Sequence, residues 1–514
     1  MADQAKFIQA MNEGYKTSGE YILLGSALLD GIPQKDAQVK LPLKTLNRHG
    51  LIAGATGTGK TVTLQVIAEN MCAKKIPVLL MDLKGDLSGL AKAGTSNPKI
   101  EERHSAIGIP FTENATTVEF LTLSKENGVR LRATVSEFGP VLFSKILNLN
   151  DTQSGIVAIL FKYSDDRQLP LLDLKDFKSL LQYVTNEGKE EIKKNYGNIS
   201  SASAGTILRS VIELESQGAD VFFGERSFDV NDLMRFDSYG RGIASIMRLT
   251  DIQDKPKLFS TFMLCLLAEI YATLPEAGDL EKPKLCIFID EAHLIFKEAS
   301  DALLDQIESI IKLIRSKGVG VYFCTQNPYD IPEAVLAQLG LKVQHALRAF
   351  TEKDRKAIKK TAENYPISEF YKTDELLTTI GIGQALVTAL NEKGIPTPLA
   401  ATHLRAPMSR LGILTPEEVQ QTISASTIAA KYNEVIDRES AFEILNKKLS
   451  ATEEATEEAE KPKPKKESKP EKTTIEKISE NTMVRQVGRT VMKEVARGLL
   501  GVLGLGGKKK GGWF

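Results

Sequence analysis

The segment Gly54–Thr61 constrains what this chain can fold into more than any other part of its sequence. It reads Gly-Ala-Thr-Gly-Thr-Gly-Lys-Thr and lies between an apolar run, His49–Gly54, and a stretch with helical character. A second apolar run, Ile76–Asp82, follows that stretch. Strand, glycine loop, helix and strand in this order predict one βαβ unit. The chain is therefore predicted to adopt an α/β fold around a central, mostly parallel sheet.

This segment also has the residue types that a phosphate-binding loop requires, in the pattern G-x-x-x-x-G-K-[ST]. Its glycines let the backbone curl so that successive N–H groups point inward at a β-phosphate. Lys60 is predicted to reach the β- and γ-phosphates, and the Thr61 hydroxyl to ligate Mg²⁺. A glycine turn that only resembles the pattern is the alternative. The predicted contacts with ATP are Gly54, Ala55, Thr56, Gly57, Thr58, Gly59, Lys60 and Thr61.

A second motif places two acids at the end of a strand-like run. Five apolar residues from Leu285 lead directly into Asp290 and Glu291. A buried strand that ends here brings Asp290 beside the phosphate loop, where its carboxylate can hold the hydration shell of Mg²⁺. Successive strand residues face opposite ways, so Glu291 is suited to orienting and polarising the attacking water. The alternative is a strand cap with exposed acids.

Residues Asp290 to His293 spell Asp-Glu-Ala-His, the signature of a large helicase class. The chain is not assigned to that class, because about 230 residues separate Lys60 from Asp290 and the later motifs of the class are missing. His293 either couples nucleotide state to the following helix or packs as a satisfied histidine.

A third polar group is predicted at the end of the buried run Val319–Thr325. Strand ends line the nucleotide crevice in such sheets, so Gln326 is a candidate sensor of the γ-phosphate or of the water. Capping of a turn is the competing role for this side chain.

Phosphoryl transfer concentrates charge on the γ-phosphate, and ATPases of this kind place an arginine there, often from a neighbouring subunit. The candidates are Arg348 and Arg315, with Arg355 as a third. Each of the first two can alternatively be an ordinary surface residue in an ion pair.

Composition and periodicity divide the rest of the chain. Strands are also predicted at 243–249, 343–348 and 384–390, and helices at 258–274 and 301–317. The predicted regions are a β-rich segment 1–45, a first core part 46–109, a mainly helical insertion 110–240, a second core part 241–410, closing helices 411–447, a disordered charged linker 448–475 and a basic amphipathic tail 476–514.

Net charge and cysteine usage limit the function classes. The 514 residues include 66 Lys+Arg and 66 Asp+Glu, so binding to DNA requires a local basic surface. Four cysteines in apolar stretches, without C-x-x-C spacing, predict buried reduced thiols. The N-terminus has no basic and apolar blocks of a leader, and the apolar run Leu258–Leu274 contains Glu269, which favours a buried helix. A cytoplasmic protein is expected.

Beyond these motifs, longer stretches carry a family resemblance. The chain resembles the HerA–FtsK group of ring-forming ATPases, and more narrowly a bacterial HerA-like family catalogued as a domain of unknown function. The resemblance runs from about Gly19 to Gly412 and returns in the tail. Its most specific stretches are GATGTGKT, MDLKGDLSGLA, FIDEAHLIF and LIRSKGVGVYFCTQNPYDIPEAVLAQLG.

The resemblance implies a RecA-like core with a helical insertion, a homo-hexameric ring and nucleotide at the subunit interfaces. Residue by residue, it matches Lys60 and Thr61 to the Walker A pair, Asp290 and Glu291 to the Walker B pair, Gln326 to the sensor glutamine, and Arg348 and Arg315 to arginines after and before the sensor strand. HerA proteins proper begin with a β-barrel, for which 45 residues are too few. Docking of a nuclease partner through such a barrel is therefore left open.

Three functions follow from these patterns. The first is an ATP-hydrolysing ring motor that translocates or remodels DNA. The second is an ATPase that energises a protein or membrane machine, since the tail 476–514 can lie on an anionic membrane, although it can equally pack between subunits. The third is a nucleotide-gated binding module without useful turnover, which the presence of Glu291 disfavours.

Overall fold

The computed structural model describes residues 3–297, 301–434, 436 and 438–460. Two compact units divide the chain. The first comprises Met1–Leu131 and Phe228–Glu434, and the second comprises Arg132–Ser227 and Val435–Phe514. The predicted tail 476–514 and residues 461–475 of the predicted linker lie outside the described residues.

All strands named here belong to one sheet in the first unit. They are β1 (Tyr21–Leu29), β2 (Ile32–Pro42), β3 (Gly50–Ala53), β4 (Val78–Asp82), β5 (Val118–Thr122), β6 (Val129–Arg130), β7 (Ala244–Arg248), β8 (Leu285–Ile289), β9 (Val319–Thr325), β10 (Leu341–Gln344), β11 (Gln384–Thr388) and β12 (Ala400–Leu404). Their order across the sheet is β2-β1-β12-β11-β10-β3-β9-β8-β4-β7-β5-β6.

The sheet has a parallel part and an antiparallel part. From β10 to β6 every neighbouring pair is parallel. From β10 back to β2 every pair is antiparallel. The mostly parallel α/β sheet predicted from the sequence is confirmed.

The α-helices, in chain order, are α1 (Gln4–Gly14), α2 (Lys60–Ala73), α3 (Pro98–Ile107), α4 (Val135–Ile146), α5 (Asp151–Arg167), α6 (Leu174–Thr185), α7 (Lys189–Asn195), α8 (Ser201–Ser216), α9 (Ala219–Phe222), α10 (Pro256–Thr273), α11 (His293–Lys297), α12 (Asp301–Ile314), α13 (Glu333–Leu336), α14 (Glu352–Glu363), α15 (Thr373–Thr379), α16 (Pro416–Ser424), α17 (Ala429–Asn433) and α18 (Ala441–Glu460). Short 3-10 helices occupy Leu43–Arg48, Ser88–Ala91, Val230–Leu233, Thr250–Ile252, Arg315–Lys317 and Pro328–Asp330.

The central strands of the first unit form its core. Every residue of β3, β4, β8 and β9 is buried. Continuous apolar strands of this kind are buried on both faces by crossover helices. The predicted apolar helix is α10, which is largely buried, and the four cysteines are buried and free, as predicted.

The second unit is helical and has an aromatic core. Phe143 packs edge-on against Phe177, with ring centroids 4.8 Å apart. The backbone N–H of Phe442 donates to the Asp176 carboxylate at 2.9 Å and so ties the start of α18 to α6. Asn150 and Asp173 cap α5 and α6, each in a capping box.

Several boundaries differ from the sequence predictions. The helical insertion covers Arg132–Ser227 rather than 110–240, because β5 and β6 join the sheet and the chain returns to the first unit at Phe228. The N-terminal segment also contains α1, whose amphipathic face buries Phe7 and Met11. The charged stretch from 448 continues α18 as far as Glu460 instead of beginning a disordered linker, because its Ala and Glu residues favour helix. In the described part of the chain, no helix is both long and apolar enough to cross a bilayer.

Candidate nucleotide site

Four neighbouring strands bring the predicted motifs to one edge of the sheet. The order β3-β9-β8-β4 is parallel throughout, so the carboxyl ends of these strands meet. The glycine loop follows β3, Gln326 follows β9, and Asp290 with Glu291 follows β8. Carboxyl ends of parallel strands are where α/β sheets bind ligands.

The glycine loop curls as its sequence predicts. Gly54, Gly57 and Gly59 have φ of 151°, 78° and 109°, a region that L side chains rarely adopt. The Lys60 ammonium donates to the Ala55 carbonyl at 3.2 Å, across the mouth of the loop. Burial lowers the pKa of Lys60. The loop therefore holds its lysine inward, at the place where a phosphate group would be received.

A buried histidine supports the loop from beneath. His345 follows β10, and its Nε2 lies 2.9 Å from the Thr63 hydroxyl on α2. A Cβ on Gly54 would come within 2.5 Å of the His345 Cβ. Burial, with the nearby charge of Lys60, lowers the pKa of His345 to about 4. The sequence around His345 gives no sign that this side chain packs against a loop almost 300 residues earlier. His345 was therefore not predicted as a site residue.

The two acids after β8 differ in their surroundings. Asp290 is 1% exposed, and burial raises the pKa of its carboxyl. Glu291 is also buried and has a left-handed backbone with φ of 46°. Its carboxylate forms an ion pair with Lys84 and lies 3.2 Å from His293 Nδ1. Both acids follow the end of β8, and the left-handed backbone of Glu291 gives the two carboxyl groups different surroundings.

The loop after β4 adds charged residues that sequence analysis did not assign to the site. Asp82 accepts the backbone N–H groups of Gly85, Asp86 and Leu87 at 2.7, 3.2 and 3.2 Å. Burial raises the pKa of Asp82 to about 7. Burial raises the pKa of Asp86, and the nearby Lys84 charge and Thr61 side chain oppose that rise. The stretch MDLKGDLSGLA, which contains this loop, was already noted as part of the family resemblance. Only the pairing of β4 with β8 shows that the loop lies beside the acidic pair.

Gln326 and Arg348 both reach the glycine loop within the same chain. The Thr56 hydroxyl donates to Gln326 Oε1 at 3.3 Å, and Arg348 Nη2 donates to the Thr56 carbonyl at 3.4 Å. Both side chains lie at the rim and are available to a bound nucleotide.

The structure does not bring Arg315 to this edge of the sheet. Arg315 precedes β9, whereas Gln326 follows it, and a seven-residue strand is about 20 Å long. The charges near Arg315 are Arg48 and Asp279, at the amino ends of the strands. Arg355 lies exposed in the first turn of α14. Neither arginine contacts the glycine loop of its own chain in the described residues.

The predicted Mg²⁺ ligands fit such an ion. Mg²⁺ takes one or two carboxylates and keeps several waters. Within the described residues, Asp290 Oδ2 and Asp86 Oδ1 are buried without a hydrogen-bond partner. Buried carboxylate oxygens are costly when unsatisfied, so Asp290 near Lys60 and Asp86 near Thr61 favour a site for a hydrated cation. Thr61 and Asp290 would hold the ion, and Asp86 lies near Thr61.

These features define the class of the protein. A mostly parallel sheet with a curled Gly-Lys-Thr loop after one strand and an acidic pair two strands away is the fold of a P-loop ATPase. The family model described as helicase HerA-like C-terminal matches residues 28–510. The chain belongs to this HerA-like family.

Curated relatives agree with this family. The DNA double-strand break repair helicase HerA of Sulfolobus acidocaldarius is 22% identical over 374 residues, which are 70% of this chain and 66% of that protein. A probable helicase of Methanocaldococcus jannaschii is 25% identical over 397 residues, covering 71% of this chain and 68% of that protein. The chain spans 64–66% of the length of the three HerA relatives.

Solved structures agree in fold. The plasmid coupling protein TrwB in complex with ADP and Mg²⁺ has a TM-score of 0.51 at 15% identity, covering 79% of this chain and 93% of that chain. At this identity the likeness concerns the fold alone.

Proposed function

We propose that this protein is a Mg²⁺-dependent ATPase that works as a ring motor on DNA. The single observation that carries the proposal is the convergence of Lys60, Asp290 and Glu291, all buried, on one edge of the sheet. Buried charges cost stability unless they are paired or serve a ligand, and Asp290 has no ion-pair partner among the described residues.

Each residue has a defined task in this proposal. The backbone of Gly54–Thr61 binds the phosphates, and Lys60 neutralises charge between the β- and γ-groups. Thr61 and Asp290 hold Mg²⁺, which supplies neutralisation of the charge that develops during phosphoryl transfer. Glu291 orients the attacking water and accepts its proton, and Gln326 contacts the γ-phosphate or that water.

DNA translocation and the ring are the finer part of the proposal. They are supported by membership of the HerA-like family and by relatives named as helicases. In a homo-hexamer, Arg315 would face the nucleotide of a neighbouring subunit, while Arg348 belongs to its own. An ATPase that drives a protein or membrane machine is the competing function.

The test is steady-state ATP hydrolysis with and without double-stranded DNA, at low and high salt. We expect Mg²⁺-dependent turnover that DNA stimulates, with DNA binding that weakens as salt rises, because phosphate contacts release counterions. The matched control is Lys60→Ala, which should abolish turnover in both conditions. Turnover without any response to DNA would favour the protein or membrane machine, and no turnover in any condition would refute the ATPase.

A further inference from the structure

We propose that Lys84 is a second phosphate-binding cation of this site, which holds Glu291 in the nucleotide-free chain and transfers to the γ-phosphate when a nucleoside triphosphate binds. The inference rests on the proposed ATPase function and adds a residue to it. It makes Lys84 a positioning residue for Glu291, able to distinguish a triphosphate from a diphosphate.

The first observation is that Glu291 is engaged on both sides. One carboxylate oxygen forms the ion pair with Lys84, and the other lies 3.2 Å from His293 Nδ1. A carboxylate that orients an attacking water must turn an oxygen toward that water. In this structure both oxygens instead contact side chains of the protein. Neither oxygen of Glu291 is therefore turned toward an attacking water.

The second observation concerns the place of Lys84 among the other charges. It lies close enough to Lys60, Asp290 and Asp86 for its charge to affect each of them. Lys60 is the residue proposed to contact the β- and γ-phosphates. The Lys84 ammonium therefore lies in the same cluster as the phosphate-binding lysine, in the loop after β4, which is the strand next to β8.

The third observation is that hydrogen bonds hold the backbone around Lys84, while its side chain is partly exposed. The Asp82 carboxylate accepts three backbone N–H groups and so pins the turn that follows β4. Gly85, next to Lys84, has a φ of 76°, which allows that turn. The Lys84 side chain is 39% exposed, whereas that of Glu291 is 8% exposed. Because a lysine side chain has a flexible four-carbon stem, its ammonium can change partner without any change in the backbone of the turn.

Charge decides which partner the ammonium takes. A carboxylate carries one negative charge, whereas a terminal phosphate carries about −1.5 to −2 and offers three acceptor oxygens. A bound triphosphate thus competes well for Lys84 and frees an oxygen of Glu291. A diphosphate has no γ-phosphate, so Lys84 stays on Glu291. A ligand shifts such an equilibrium only by its differential affinity for the two states, which here resides in the γ-phosphate.

The experiment compares the dissociation constants of a fluorescent non-hydrolysable ATP analogue and of fluorescent ADP, with Mg²⁺, for the full chain and its variants. Lys84→Met should weaken the analogue about tenfold, as expected for one lost charge-assisted hydrogen bond, and leave ADP unchanged. Lys92→Met, which removes an exposed lysine eight residues after Lys84, should change neither constant.

A second variant tests the competition itself. Glu291→Gln removes the charge that holds Lys84, so it should tighten the analogue and leave ADP unchanged. In the Lys84→Met background, Glu291→Gln should have no effect, and this non-additivity is the signature of the shared ion pair. A lysine with a purely structural role would not produce it.

Several results would overturn the inference. They are equal weakening of both nucleotides by Lys84→Met, no weakening of either, or a Glu291→Gln effect that persists without Lys84. In each case the proposed ATPase would stand. Failure of the unaltered protein to bind either nucleotide would instead overturn the proposed function and this inference together.

Discussion

Glu291 differs from its neighbour Asp290 in the way expected of a base that orients water. Glu291 has charge contacts with a lysine and a histidine, while Asp290 Oδ2 is buried with neither a hydrogen bond nor an ion pair among the described residues. Glu291→Gln keeps the shape of the side chain but removes the charge that accepts a proton. We expect ATP turnover to fall by about a hundredfold or more, with ADP affinity unchanged. Phosphate release and ADP binding measure the two effects, and the exposed Glu102→Gln is the control; normal turnover in Glu291→Gln would contradict the assignment.

His345 should make the free energy of unfolding depend on pH. The pKa of His345 is lowered to about 4 in the folded chain, while an unfolded histidine titrates near 6.5. The unfolded state therefore binds the proton first as the pH falls, so this contribution is complete above pH 6.5 and is lost progressively toward pH 4. Between pH 7 and pH 5 it should lower the free energy of unfolding by about 2 kcal/mol.

Urea unfolding at the two pH values tests this effect. His345→Gln retains a polar partner for Thr63 but does not titrate. The difference in unfolding free energy between pH 7 and pH 5 should therefore be smaller in the variant by about 2 kcal/mol. His49, whose pKa burial also lowers to about 4, remains in both proteins and accounts for dependence that persists. An unchanged pH dependence in His345→Gln would exclude this residue as the source.

At the scale of elements, the loop between β3 and α2 has one glycine that tolerates no side chain. A Cβ on Gly54 would lie 2.5 Å from His345, whereas a Cβ on Gly57 would meet nothing within 4 Å. Both positions have positive φ, so both Ala variants carry the conformational cost of about 1 kcal/mol or more. Only Gly54→Ala adds a clash with His345, and it should lose clearly more stability and nucleotide affinity. Thermal unfolding and nucleotide titration compare the two, and equal losses would contradict the packing argument.

Elements with a local sequence signal were predictable, and elements fixed by distant partners were not. The apolar runs of β3, β4, β8 and β9 are continuous because both sheet faces are covered, so their pattern is visible in the sequence. β5 reads Val-Glu-Phe-Leu-Thr, which is not a continuous apolar run, and it lies next to a stretch with helical periodicity, so only its pairing with β7 reveals it. Lys84 was missed as a site residue for the same reason, because its ion pair with Glu291 joins two loops far apart in the sequence.

The roles of the two arginine candidates can be distinguished only in the assembled ring. Arg348 contacts Thr56 of its own chain, while Arg315 lies beyond the opposite end of β9. If Arg315 takes part in hydrolysis, it must therefore serve a neighbouring subunit. Arginines supplied in this way contribute several orders of magnitude to turnover. A mixing experiment distinguishes the two residues, because a shared site is built from two chains.

Arg315→Ala has an intact glycine loop but no donated arginine, and Lys60→Ala has the arginine but no working loop. Each variant alone should be inactive. When they are assembled together in equal amounts, about a quarter of the interfaces in a closed cyclic ring should join an intact loop to an intact arginine, so activity should reappear. Arg348→Ala mixed with Lys60→Ala should stay inactive, because both groups act within one chain. Recovery with Arg348→Ala and none with Arg315→Ala would reverse the assignment, and the ring proposal would then rest on Arg348 as the residue donated between subunits.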